Sequence, residues 1–115
     1  MAQVLAGGDW ATPLPIPTVA RTNRSYVSNN FWRGDVWPAP TYQVAAGLGQ
    51  YGHSALSASI ADAMLDNAIR VGINEHYDSQ TGAPLGVAKL GMSGVILTLA
   101  LDGLTTHHKI SAIAN

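Results

Sequence analysis

The chain has 115 residues, 47% of them hydrophobic and only 11% charged, with a net charge of −1 from six basic and seven acidic side chains. No run of Lys or Arg gives nucleic acid or an anionic membrane surface an electrostatic handle, and the absence of cysteine excludes disulfides and thiolate metal sites. An ordinary soluble domain carries roughly 25% charged residues, and a small domain has a high surface-to-volume ratio to cover, so this composition predicts self-association or membership of a larger assembly.

Residues 1–38 read as one long loop region and residues 39–104 as a helical region, together a single partial domain. Near the start, Gly7, Gly8 and Asp9 interrupt the apolar run, and no basic segment precedes it, so no signal peptide is expected. Pro13, Pro15 and Pro17 alternate with Leu14 and Ile16, a pattern for an extended path. Asn23, Ser25, Ser28, Asn29 and Asn30 add turn chemistry. A first helix is predicted over residues 40–51, with Val44, Ala45, Leu48 and Tyr51 on its buried stripe. A second is predicted over residues 54–71, ended by Gly72, and the short link at Gly52 and His53 makes the pair antiparallel. Residues 73–89 are expected to form a second long loop, punctuated by Asp78, Gly82, Pro84 and Gly86. A third helix is predicted over residues 91–104, apolar nearly all round and so buried on every side. At residues 90–101 the apolar run falls short of the roughly 20 residues needed to cross a bilayer. With neither leader nor span, the cytoplasm is the expected location. The fold class read from these elements is all-α, three main helices with two long loops.

Two loops carry residues suited to chemistry. In Asn30-Phe31-Trp32-Arg33-Gly34-Asp35-Val36-Trp37-Pro38, two of the three tryptophans flank an Arg and an Asp. Indole faces suit the C–H faces of sugar rings, and Arg and Asp give directed hydrogen bonds to hydroxyls. The plainer reading packs Phe31 and Trp37 against the next helix and pairs Arg33 with Asp35. In Asn74-Glu75-His76-Tyr77-Asp78, a carboxylate sits among hydrogen-bonding groups, as general acid–base work requires; Asp78 reads better as a turn cap. His53 reads as a capping or packing residue. Adjacent His107 and His108 lack further ligands at metal spacing, so neither a metal nor any other cofactor is expected.

Taken together, Phe31-Trp32-Arg33-Gly34-Asp35-Val36-Trp37-Pro38 and Asn74-Glu75-His76-Tyr77-Asp78-x-x-Thr81-Gly82 resemble motifs of glycoside hydrolase family 63 and of the mannosylglycerate and glucosylglycerate hydrolases related to it. The second segment is also similar to the Glu-Lys-Tyr-Asp segment of trehalases. Upstream, Trp10-Ala11-Thr12-Pro13-x-x-x-Pro17-Thr18-Val19-Ala20 resembles the family's approach to the Trp-Arg-Gly loop. The resemblance runs from about residue 9 to residue 104. It implies that the chain is the C-terminal part of an (α/α)6 barrel. It also implies inverting hydrolysis of an α-glycoside, in which an acid and a base stand roughly 6.5–9.5 Å apart to admit a water. On that reading Glu75 is the general base, Trp32, Arg33, Gly34, Asp35 and Trp37 contribute to substrate binding, and Tyr77 shapes the site.

Three departures matter. Asp35 stands where the family has Pro, Leu90 and Met92 replace an aromatic pair, and the general acid belongs to an upstream segment that this chain does not match. The expected partners are therefore a sugar or glycoside and either the missing part of the barrel or further copies of the chain. The competing expectation is a non-enzymatic helical module that binds carbohydrate or self-associates. Either way, sedimentation should detect association of the isolated 12.0 kDa chain; a compact monomer, stable on dilution, would contradict this reading of its apolar surface.

Overall fold

The computed structural model describes residues 5–89, 91–96 and 98. Two helices form its centre, α1 (Pro38–Gln50) and α2 (Ser54–Val71). Pro38 occupies the first helical turn, where the missing N–H loses no intrahelical bond, so α1 starts two residues earlier than Pro40 alone would suggest. Thr41 supports this start by donating its hydroxyl to the Trp37 carbonyl at 2.9 Å. Small residues let the helices approach: Ala45 and Ala61 are fully buried, and the buried Ser57 hydroxyl donates to the Ala45 carbonyl at 2.6 Å. Ile60, Met64, Leu65 and Leu48 fill the rest of the shared core. Tyr51 leaves the expected stripe: it lies just past the end of α1 and is 83% exposed, at the edge of a groove shared with Leu5, Val44 and Leu48.

The all-α expectation is overturned by the segment after α2. Residues assigned to a loop form an antiparallel hairpin, β1 (Asn74–Tyr77) with β2 (Pro84–Ala88), in register Tyr77↔Pro84 and His76↔Leu85. Each strand is too short, and β2 too interrupted by Pro84 and Gly86, for a period of two to show in the sequence. The turn is closed by Asp78, whose carboxylate accepts from the N–H groups of Gln80 (2.8 Å) and Thr81 (3.2 Å), while Gly82 N–H returns to the Asp78 carbonyl. Asp78 therefore caps the turn.

Tertiary contacts supply the rest of the hairpin's support. Val36 and Tyr77 exchange both backbone hydrogen bonds at 2.9 Å, so the segment before α1 pairs with the strand after α2. This tie and the short turn between the helices make them antiparallel. Tyr77 is fully buried; its hydroxyl donates to the Gly72 carbonyl (2.7 Å) and accepts from Asn74 N–H (2.9 Å).

The region before α1 is not free chain. It runs through two 3-10 turns, Gly8–Trp10 and Phe31–Arg33, and wraps the hairpin. Leu14 and Ile16 insert into the core, Leu14 N–H bonds to the Ser79 carbonyl, and Tyr26 pairs its hydroxyl with that of Ser79 at 2.6 Å. Beyond β2 lies a 3-10 turn at Gly91–Gly94, followed by helical residues 95, 96 and 98, with Ile96 buried. Most of the predicted third helix, Leu90, and both His107 and His108 lie outside the described residues.

A bulge interrupts the hairpin between Asn74 and His76, so that Gly86 and Val87 together face Glu75. Gly86 has a φ of +70°, and a Cβ there would lie 2.8 Å from both Glu75 Cβ and His76 Nε2. Gly86→Ala should therefore destabilise the fold by at least the ~1 kcal/mol of a left-handed alanine, and denaturant unfolding would measure it. Tyr77→Phe removes both hydroxyl bonds and should cost about 1–3 kcal/mol. Burial raises the Tyr77 phenol above its ordinary 10.0. The folded phenol thus keeps its proton where the unfolded one loses it, and stability should fall as pH rises above 10.0. In Tyr77→Phe that part of the alkaline decline should vanish; an unchanged slope would mean that other groups cause it.

Candidate functional site

Strands and helix ends bring the two motif loops together. Val36 pairs with Tyr77, so their neighbours Trp37 and His76 fall side by side, and Trp37 stacks on the His76 ring at 4.5 Å, 14° from parallel. Trp32 stacks on Trp37 at 4.2 Å and 4°. Trp37 is thus sandwiched and almost entirely buried, whereas Trp32 is 51% exposed. Phe31 stands edge-on to all three rings at 4.9–5.8 Å. Edge and offset contacts of this kind contribute about 0.5–1.5 kcal/mol each, which helps hold Phe31 at a φ of +50° that a bulky residue rarely adopts.

Gly34 makes this loop possible. Its φ is +155°, and a Cβ would lie 2.5 Å from the Val27 carbonyl oxygen. The chain can then turn Val36 and Trp37 inward while Arg33 stays outside. Arg33 donates its Nε to the Ser25 carbonyl at 3.1 Å on the exposed surface, and does not line the cleft beside Glu75. The Arg33–Asp35 pair of the plainer reading does not form among the described residues. Asp35 is fully buried and instead bonds His76, Asp35 Oδ2 to Nδ1.

Glu75 points away from the core at the bulge. Its side chain is 18% exposed; Oε1 lies 3.7 Å from His76 Nε2, and Oε2 accepts from Val87 N–H at 3.3 Å. A cleft of about 210 Å³ is lined by Trp32, Trp37, Glu75, Gln43 and Ser93 with Pro38–Pro40. Ligand sites usually enclose roughly 300–1,000 Å³, more than this cleft does. A carboxylate, an indole face and an amide around one cleft suit a polyhydroxylated ligand and proton transfer at it. Tyr77 does not reach this cleft, since it faces the core.

Three residues here escape a reading of the sequence. Gln43 carries no motif signal, and Ser93, which stands where the related family has Ser or Thr, carries no role in the sequence reading; only the fold brings both to the cleft. His76 stands within a motif but without a role of its own, because its contact with Asp35 spans 41 residues. Burial pushes the Asp35 carboxyl above its ordinary 3.8, with the hydrogen bond and charge of His76 opposing that rise and the charge of Asp78 adding to it. Among the described residues no three His, Asp or Glu side chains have the arrangement to hold a metal ion, and no helix is long and apolar enough to cross a membrane.

Comparison with known proteins places this arrangement in a family. The mannosylglycerate hydrolase MGH1-like glycoside hydrolase domain matches residues 1–94. A mannosylglycerate hydrolase of Thermus thermophilus is 35% identical over 71 residues, 62% of this chain and 17% of that protein. Among solved structures, the family 63 mannosylglycerate hydrolase from another strain of Thermus thermophilus, in complex with Tris and D-glycerate, superposes with a TM-score of 0.79 at 30% identity, covering 86% of this chain and 25% of that one. The same enzyme in complex with glucose gives 0.75 at 32% identity, over 87% and 26%. An uncharacterised conserved protein of Thermus thermophilus gives 0.81 at 29%, over 86% and 25%. The chain spans about a quarter or less of the length of these relatives. It belongs to the MGH1-like glycoside hydrolase family related to mannosylglycerate hydrolase.

Proposed function

We propose that this chain supplies the general base and one wall of the sugar pocket to an inverting α-glycoside hydrolase, of the glucosidase or mannosylglycerate hydrolase kind. The observation that carries the reading is the cleft in which Glu75 faces the Trp32–Trp37 stack. A carboxylate anchored by a backbone N–H and left partly exposed is placed to take a proton from water. The exposed Trp32 offers an indole face to a sugar ring. Trp37 contributes by holding Trp32 flat, and Gly34 by shaping the loop. Asp35 and Tyr77, in this reading, shape the site from behind. Arg33 would meet substrate only through ligand reach or a loop shift.

The acid that protonates the leaving oxygen would come from the part of the fold that the relatives have and these 115 residues do not cover. In the barrel reading, α1, α2 and the segment after β2 are the last of the twelve helices. A groove of about 520 Å³ lined by Leu5, Val44, Leu48 and Tyr51 supports it, because apolar surface of this kind asks for a neighbour. The same groove would serve the second reading, a non-enzymatic module that binds sugar or associates with itself.

The two readings separate in one experiment. The chain alone should not release mannose or glucose from an α-glycoside. Supplied with a polypeptide covering the remaining barrel helices, it should gain turnover, and Glu75→Gln should lower that turnover by about 10²–10⁴-fold. Turnover untouched by Glu75→Gln would remove Glu75 from the base role; sugar binding with no turnover in either form would favour the second reading.

A further inference from the structure

The Asp35–His76 contact asks for an explanation that packing does not give. Asp35 is fully buried, and among the described residues its Oδ1 has no hydrogen-bond partner of good geometry. Burying a carboxylate with an unsatisfied oxygen is unfavourable, and a buried ion pair is commonly no more stabilising than apolar residues of similar volume. The pair therefore has a cost that stability does not account for, and it lies directly behind Glu75.

We propose that Asp35 and His76 form a positioning couple for Glu75, holding one imidazole tautomer so that Nε2 accepts the proton the Glu75 carboxyl gains. This rests on the general-base reading of Glu75. Three independent contacts fix the ring: Asp35 Oδ2 at Nδ1, Trp37 stacked on its face at 4.5 Å, and Phe31 edge-on at 5.5 Å. An ionised carboxylate can only accept a hydrogen bond, so the proton of this contact is carried by Nδ1. The neutral ring then presents a bare Nε2, which faces Glu75 Oε1 at 3.7 Å. Gly86 keeps this approach open, since any Cβ there would lie 2.8 Å from Nε2.

The chemistry balances simply. As the water oxygen bonds to the anomeric carbon and the glycosidic C–O bond breaks, one water proton passes to Glu75 Oε1. The leaving oxygen takes its proton from the acid outside this chain. The new Oε1–H then passes its proton to Nε2, which restores the Glu75 carboxylate, and the buried Asp35 carboxylate offsets the positive charge of the imidazolium so formed. A separation of 3.7 Å is long for a hydrogen bond, but catalytic contacts in substrate-free sites commonly tighten on binding. Asp35 acts here only through His76, as a carboxylate behind a histidine sets tautomer and orientation.

The test reads the imidazole nitrogens of the full chain by ¹⁵N NMR, which needs no turnover. Neutral His76 should be protonated at Nδ1 and bare at Nε2. Asp35→Asn should reverse that tautomer, because an amide N–H facing Nδ1 demands a bare nitrogen there. Glu75→Gln, a conservative change at a partly exposed site, should shift the Nε2 resonance and leave Nδ1 in place. That variant keeps the test decisive if Asp35→Asn fails to fold. In the reconstituted hydrolase, Asp35→Asn should lower kcat by about 10–100-fold with KM little changed. A wild-type ring protonated at Nε2, or an Nε2 resonance indifferent to Glu75→Gln, overturns the couple. Absent hydrolysis with the NMR signature intact would overturn the general-base reading and leave the couple standing.

Discussion

The pair of hydrogen bonds between Val36 and Tyr77 holds the rest of this structure in place. It joins the segment entering α1 to the strand leaving α2, and so sets two distant stretches of sequence in register. Side chains alternate along an extended strand, so pairing Val36 with Tyr77 decides which neighbours meet. Trp37 and His76 stack, Asp35 reaches His76, and Glu75 turns toward Trp32. Tyr77 makes the tie stiff by filling the core and bonding Gly72 and Asn74 with one hydroxyl.

Around this tie the chain divides its duties by burial. Trp37, Asp35, His76 and Tyr77 are buried and hold geometry, whereas Trp32 and Glu75 keep exposed surface in the cleft. The bulge opposite Gly86 turns Glu75 outward without breaking the hairpin, a common use of bulges beside functional sites. Glycine is required at Gly34 and Gly86 for the same reason: another part of the chain occupies the space a side chain would need.

The low charge content finds a physical counterpart in the surface left by α1. Leu5, Val44, Leu48 and Tyr51 line an apolar groove, and Ile69 and Val87 are more than half exposed. The chain covers about a quarter or less of its relatives' length.

Much of this was legible from residues alone. Helical periodicity and the break at Gly72 located α2 as Ser54–Val71, Asp78 read as a turn cap, and the two motifs led to the family. These signals are local: a repeat of 3.6, a side chain reaching its own turn, a short string of residue types. The hairpin was not legible, because four- and five-residue strands carrying Pro84 and Gly86 hold no periodic signal and depend on Val36 for support. Asp35 read as a substrate-binding residue or, more plainly, as a partner for nearby Arg33, yet it is buried and pairs with His76 across 41 residues. Gln43, on the cleft side of α1, had nothing to mark it. Contacts between segments far apart in the chain leave no spacing to read, and only the folded backbone decides which of two chemically reasonable partners comes within reach.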